Sequence, residues 1–338
     1  GGQMALTKEE QRAWLAQHTE EIIDPGREII DPHHHMWRTS GLPVYLLEDL
    51  WEDTESGHRI VKTVFMECGA EYRVDGPEHL KVVGETEFVR DAAIASRGQG
   101  KAEIAGIVAH ADLTLELDLL RETLEAHEEA GEGLFRGIRH GGAHDPDKSL
   151  GWLDATPHPD LFQQSGFRNG VSLLGELGYT YDSWHYHFQN SAYSDLAKAV
   201  PGTTIVLDHF GTPCGVGSYE GKMEDVMTEW KADMVRMSEF ENVVVKIGGL
   251  AMPVNGFNWH TREMPPSSEE VADAHREYYL HTIDAFGPSR CMFESNFPVD
   301  KLSLSYSIYW NAMKRIASEF SDDEQHELFY GTASRVYK

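Results

Sequence analysis

Eight short apolar runs recur along the chain with helical stretches between them, and this alternation narrows the fold more than any other feature. The runs are REIIDPHH (27–34), RIVKTVFMEC (59–68), AEIAGIVAH (102–110), LFRGIRHG (134–141), GYTYDSW (178–184), TTIVLDHF (203–210), NVVVKIGGL (242–250) and RCMFESNF (290–297). Most are β-branched and almost continuously apolar, as strands covered on both faces are. Leucines at helical spacing fill 115–130, and Met, Val, Trp and Phe repeat similarly over 222–240. The stretch 267–287 opens with a Ser cap and acids and closes on Gly, and 321–329 carries Ser321 with Glu324 three residues on. Strand–helix alternation repeated eight times predicts an α/β chain folded as a (β/α)8 TIM barrel, with room for distortion. An open doubly wound sheet would need a glycine-rich phosphate loop after an early strand, and the chain has none. The stretches 250–270 and 145–170 read as irregular loops, the first hanging over the barrel mouth at the C-terminal face.

A chain of 338 residues, 41% of them hydrophobic, can bury a core of that size. The barrel is expected to occupy 27–338, after an N-terminal extension over 1–26 whose GGQM start reads as an expression remnant. Cys68, Cys214 and Cys291 lack ligand spacing, which argues against a thiolate zinc site, and so few cysteines suggest a reducing compartment. No run has the length of a membrane span and no signal-peptide pattern is present, so a cytoplasmic protein is expected. With 56 acidic against 29 basic residues the formal charge is −27, which repels nucleic acid and anionic lipid. The partner expected is a small molecule.

Polar residues interrupt the apolar runs near their C-terminal ends, where barrel active sites are assembled. In DPHHHMW, His33 and His35 stand two apart and leave one face of an extended strand, Asp31 with them, while His34 points the other way. Two such imidazoles can hold one metal ion. His209 in IVLDHFG is a candidate ligand or acid–base group, and Asp208, of opposite parity, is expected to support a loop or an arginine. Glu67 in FMECGA is a candidate ligand. His140 could face inward and complete a metal sphere, as could His185 or His187 of SWHYHF, while Arg136 and Arg139 could hold an anionic, carboxylate-bearing substrate. Glu294 and Asn296 share a face at the end of the last strand. Asn296 cannot act as a base, although its carbonyl oxygen can be a weak ligand. Trp184, Tyr186, Phe188, Phe257 and Trp259 suggest an apolar-walled pocket.

Together these motifs resemble the amidohydrolase superfamily, in its amidohydrolase-2 branch of lactonases and decarboxylases. DPHHHMW is similar to the first-strand HxH motif, FRGIRHG to the fourth-strand segment, IVLDHFG to the sixth-strand histidine motif and YGTASRVYK to the closing helix. RCMFESNFPVD is similar to a last-strand motif that commonly ends Gly-Ser-Asp-Trp-Pro, so Asn296 stands where the family has its aspartate. The resemblance implies a metal-dependent hydrolase of a small lactone, ester or amide, with zinc as the divalent metal. His33, His35 and His209 would be ligands or polarising groups, and Arg136 or Arg139 would touch the substrate. The proton then falls to Glu294, Glu67, His185 or His187. The ESNFP ending also resembles dinuclear iron or manganese oxygenases, in which Glu67, His140 and His209 would extend the HxH pair. A third reading is a non-catalytic barrel within a hetero-oligomer; the resemblance itself implies a homodimer. Asn296→Asp is expected to tighten metal binding, and His35→Ala to lose the metal.

Overall fold

The computed structural model describes residues 6–338, and the eight runs form one parallel eight-stranded sheet ordered as in the chain. The strands are β1 (Glu28–His34), β2 (Arg59–Met66), β3 (Glu103–Ala109), β4 (Phe135–Arg139), β5 (Thr180–Ser183), β6 (Ile205–Leu207), β7 (Val243–Gly248) and β8 (Cys291–Glu294). Each lies inside its predicted run and most stop earlier, because the polar ends turn into loops. The remnant read into residues 1–4 lies outside the described residues.

The helices are α1 (Lys8–Leu15), α2 (Leu47–Thr54), α3 (Val83–Ser96), α4 (Leu117–Gly131), α5 (Ser165–Glu176) and α6 (Asn190–Ala199), followed by α7 (Met223–Ser238), α8 (Ser268–Phe286), α9 (Tyr306–Ala317), α10 (Asp322–His326) and α11 (Thr332–Val336). Side-chain caps start several of them. Ser267 Oγ accepts the Glu270 N–H before α8, and Ser321 and Glu324 form a reciprocal capping box at α10. The irregular stretch expected over 145–170 ends sooner, since α5 begins at Ser165. The loop after β7 holds only two short turns, Pro253–Asn255 and Trp259–Thr261. No helix among the described residues is long and apolar enough to cross a membrane.

Ile30, Val64, Met66, Val108, Val206, Val244 and Met292 fill the inside of the barrel, and Ala333 and Tyr337 join them. Tyr337 enters near the start of β4, where its carbonyl accepts from Arg136 Nε at 3.1 Å, and its hydroxyl donates to Asp182 Oδ1 at 2.7 Å. Arg136 also donates to the carbonyls of Gly133 and Ala105, so it belongs to the barrel floor and not to a substrate site at the mouth. The N-terminal extension packs on the opposite end. Trp14 Nε1 donates to the Arg262 carbonyl in the loop after β7, and Gln11 Nε2 to that of Lys301 after β8.

Closure of the barrel depends on how β1 meets β8. The His35 N–H donates to the Phe297 carbonyl at 2.8 Å and the Asn296 N–H to that of His33 at 3.1 Å. Asp31 clasps the same seam: it accepts from Ser295 Oγ at 2.5 Å, Ser295 N at 3.1 Å and Tyr306 Oη at 2.7 Å. Between Asp31 and His34 the pairing with β2 shifts by one residue. This bulge corrects the expected alternation: Asp31 turns outward to Tyr306 on α9, while His33 turns inward. Burial pushes the Asp31 carboxyl up to about 6, against the hydrogen bonds from Ser295 and Tyr306.

Asp31→Ala leaves the Ser295 and Tyr306 donors buried without an acceptor. Urea denaturation should show a loss of about 2–5 kcal/mol; a loss within error of zero would mean the seam closes without the clasp.

Candidate active site

Three strand ends converge inside the mouth of the barrel. His33 comes from β1, Glu294 from β8 and His209 from the turn after β6, all buried, with ligand atoms within 4.8 Å of one another. His209 reaches the cluster because the chain leaves β6 abruptly. His209 and Phe210 both adopt left-handed conformations (φ 55° and 59°), so alternation fails and Asp208 and His209 both face inward. Two glycines make the space. A Cβ on Gly249 (φ +71°) would lie 2.5 Å from His209 Nδ1, and one on Gly248 would lie 2.6 Å from Glu294 Cγ.

The chemistry of the cluster fits a divalent cation. His33 Nε2, His209 Nδ1 and Glu294 Oε1 are buried polar atoms without a hydrogen-bond partner. His209 Nδ1 and Glu294 Oε1 are 2.6 Å apart, but the contact is not aligned as a hydrogen bond. Two ligand atoms brought that close in a fully buried site favour a positive charge between them. Burial, then Lys246, pushes the His33 imidazole well below its usual range; burial, then Arg139, does the same to His209. Both are thus neutral rings, the form that ligates metal. Burial raises the Glu294 carboxyl to about 8, with Lys246 acting against it.

Two cations, the buried Lys246 and the half-buried Arg139, hold the surrounding carboxylates. Lys246 Nζ on β7 lies 3.0 Å from Asp182 Oδ2 and 3.2 Å from His33 Nδ1. Burial opposes the Asp182 charge, but Lys246 together with hydrogen bonds from Asp208 and Tyr337 lowers its pKa below the usual value. Arg139 donates from Nε to Glu67 Oε1 at 2.9 Å, from Nη1 to Asp208 Oδ2 at 3.2 Å and from Nη2 to the Glu67 carbonyl at 2.8 Å. Burial works against the guanidinium charge, but Glu67 and Asp208 raise its pKa above the ordinary value. Burial and neighbouring Asp182 hold the Asp208 carboxyl well above the usual range.

The remaining sequence candidates are scattered. His35 stands one ring away from the cluster, its centroid 5.0 Å from that of His33, and its Nδ1–H donates to the Met66 carbonyl at 2.8 Å. Glu67 is tied to Arg139. His140 leaves β4 on the outer side, opposite to the inward placing expected: it packs on Phe167 of α5, and its Nδ1 accepts the Leu113 N–H at 3.2 Å. His185 spends both nitrogens locally, accepting from Ser183 Oγ and donating to Asn190 Oδ1. His187 accepts the Cys214 N–H and packs on Tyr219, away from the cluster. His34 is wedged between strands, with Nε2 3.0 Å from Thr63 Oγ1. Asn296 donates from Nδ2 to Asp300 Oδ1 at 2.8 Å. Lys246 is a central charge to which spacing assigns no role; a lysine flanked by VVV and IG near the end of an apolar strand is its signal in the sequence.

A cavity of about 470 Å³ opens above the cluster, with His35, Arg139, His209 and Asn296 among its lining residues. The fold and the cluster thus define an enzyme built on a parallel (β/α)8 barrel with a divalent-metal site in its mouth. The chain belongs to the amidohydrolase family, whose model, described as Amidohydrolase, matches residues 30–338. It is 30% identical to the uncharacterised protein y4mH of Sinorhizobium fredii over 332 residues, covering 92% of this chain and 98% of that one. It is also 30% identical to the L-fucono-1,5-lactonase of Burkholderia multivorans over 176 residues, 51% of this chain and 55% of the lactonase. Among solved structures, a zinc-bound amidohydrolase of Burkholderia multivorans aligns over 91% of this chain and 98% of its own, with TM-score 0.71 and 23% identity. A putative 2-pyrone-4,6-dicarboxylic acid hydrolase of Pseudomonas putida aligns over 91% and 97%, with TM-score 0.60 and 17% identity. These two likenesses show the fold. Family membership and the ligand cluster set aside the non-catalytic barrel.

The contact with Asp300 points to a different outcome at position 296. Asn296→Asp places a carboxylate against buried Asp300, whose own carboxyl is raised well above the usual range by burial. Thermal denaturation should show a loss of roughly 1–3 kcal/mol, with divalent-metal affinity unchanged; tighter metal binding would return residue 296 to the ligand set.

Proposed function

We propose that the protein is a hydrolase with one divalent metal ion, zinc in the first instance, that opens a lactone or ester of a small organic molecule. One observation carries the single-ion reading. His33 Nε2, His209 Nδ1 and Glu294 Oε1 converge with no hydrogen-bond partner, whereas the nearby carboxylates each face a cation: Glu67 and Asp208 face Arg139, and Asp182 faces Lys246. A second ion would have to displace a buried lysine or arginine. The dinuclear oxygenase reading is therefore the weaker one. The lactonase name of one relative and the hydrolase name of a structural neighbour support an acyl-transfer reaction with water.

His33, His209 and Glu294 would hold the ion. When bound, a divalent ion supplies Lewis acidity toward a carbonyl and lowers the pKa of water. The rest falls to this chain's residues. His35 gives its Nδ1–H to Met66, which leaves Nε2 as the lone-pair atom of a ring lining the cavity. That nitrogen takes the proton of an attacking water. Arg139 uses three of its five N–H donors on Glu67 and Asp208. The remaining two serve the carbonyl oxygen as negative charge develops on it. His185 and His187 take no part in the proton transfer, because both nitrogens of His185 are hydrogen-bonded locally and neither ring lines the cavity.

Purified protein loaded with zinc should hydrolyse lactones under strictly anaerobic conditions, without reductant. A requirement for O2 and reductant would overturn the proposal. His35→Ala should lower kcat at least 100-fold while keeping more than half of the bound metal; loss of the metal would make His35 a ligand instead.

Metal uptake should also depend on pH in a defined direction. A carboxyl near 8 in the folded, metal-free protein carries a proton at pH 7, and an incoming ion must displace it. Apparent affinity should therefore rise up to about tenfold per pH unit below 8 from this group and flatten above it. In the metal-free protein the same shift opposes folding: a carboxyl raised from 4.5 to about 8 contributes a stability that falls as pH rises between those values. Calorimetric titration with zinc from pH 6 to 9 reads the slope, and Glu294→Gln should weaken binding and remove this contribution. A slope unchanged in the variant would exclude Glu294 as the displaced acid.

A further inference from the structure

The cavity over the cluster carries most of its polar groups at its floor, with Ser40 and Cys68 also among its lining, and the large apolar side chains of its walls come from loops after five different strands. Trp37 and Leu42 follow β1, Trp152 follows β4, Trp184 follows β5, Met252 follows β7 and Val299 follows β8. Trp37 stacks on His35, with ring planes 17° apart, and its indole N–H is spent on the Pro43 carbonyl at 2.9 Å, so it offers the cavity an apolar face. Among the other aromatics expected at the mouth, Tyr186 gives its hydroxyl to the Leu153 carbonyl, and Phe257 and Trp259 pack on His275 of α8. Arg139 is the only charged side chain apart from histidine that lines the cavity, and Glu67 and Asp208 already face it.

From this we propose that the substrate is uncharged and carries an aryl or alkyl body on its lactone or ester group, rather than a set of hydroxyls or a second carboxylate. The inference rests on the hydrolase reading above and names the class of molecule that site takes. A polyhydroxylated ring held between three tryptophans, Met252 and Val299 would bury hydroxyls away from partners, each costing roughly tenfold or more in binding. A carboxylate would have to compete for Arg139 with Glu67 and Asp208, in a chain with formal charge −27. An apolar body meets neither obstacle, and about 470 Å³ lies in the range of cavities that accept small organic ligands.

The test uses the zinc-loaded full chain with two lactones of equal ring size, dihydrocoumarin and glucono-1,5-lactone. The lactam 3,4-dihydroquinolin-2-one serves as an unreactive probe, and its binding is read by tryptophan fluorescence. Expected are a kcat/KM for dihydrocoumarin at least 50-fold above that for the sugar lactone, saturable quenching by the lactam, and a rise of at least tenfold in the lactam Kd in Trp184→Ala and in Trp152→Ala. Trp152 lies in a surface loop, so its variant tests the wall where loss of Trp184 disturbs folding. Preferred turnover of the sugar lactone without lactam binding overturns the inference and leaves the hydrolase reading standing. Lactam binding that weakens in the variants, with neither lactone turned over, keeps the apolar cavity and removes the hydrolase reading. Absence of both binding and turnover overturns both.

Discussion

The site depends on the closure of the barrel at the seam between its first and last strands. Asp31 holds that seam from outside by accepting from Ser295 and Tyr306. The register shift that turns Asp31 outward is also what turns His33 inward. A single extra residue around Pro32 therefore performs two tasks. It fastens β1 to β8, and it sets an imidazole beside Glu294, with His33 Nδ1 3.9 Å from Glu294 Oε1. Without closure the two strand ends would be the opposite edges of an open sheet.

Around that seam the inside of the barrel is a matched set of buried charges. Each cation has more than one task. Lys246 faces Asp182 and His33 and lies 5.0 Å from the centre of the Tyr337 ring, so the residues that fill the barrel from its floor also contact the site. Arg139 joins Glu67 on β2's loop to Asp208 at the end of β6. Buried ions of this kind persist only when paired. With a cation already facing each neighbouring carboxylate, the two histidines and Glu294 are the converging ligand atoms left without one, which is why the arrangement favours one metal ion over two. The apolar walls above lower the polarity of the space over the site and strengthen the electrostatic contacts beneath them.

The eight strands were legible because strands covered on both faces read as continuous apolar runs, and the sequence pattern VVVKIG has few other uses. His33 and His209 were legible as polar residues at strand ends. Local backbone geometry was not. Alternation along β1 put Asp31 with His33, and the bulge undid it. Alternation along the sixth run separated Asp208 from His209, and two left-handed residues brought both inward. The same logic placed His140 inside on parity with Ile138, whereas Arg139 is the inward residue of that strand end. At the last strand Glu294 and Asn296 were equal candidates by spacing. Glu294 enters the cluster, whereas the chain turns at Asn296, with φ 54°, and the Asn296 amide nitrogen is held by Asp300. Long-range partners such as Asp300, Tyr306 and Tyr337 carry no short-range signature at all.

The central claim is that one cation sits among three particular side chains. The most direct measurement is a crystal structure of the metal-loaded protein with anomalous diffraction collected at the metal edge. The account predicts one strong anomalous peak per chain, within bonding distance of His33, His209 and Glu294, with Lys246 and Arg139 still on their carboxylates. Two peaks, or one peak seated on Glu67, Asp208 or His140, would contradict it.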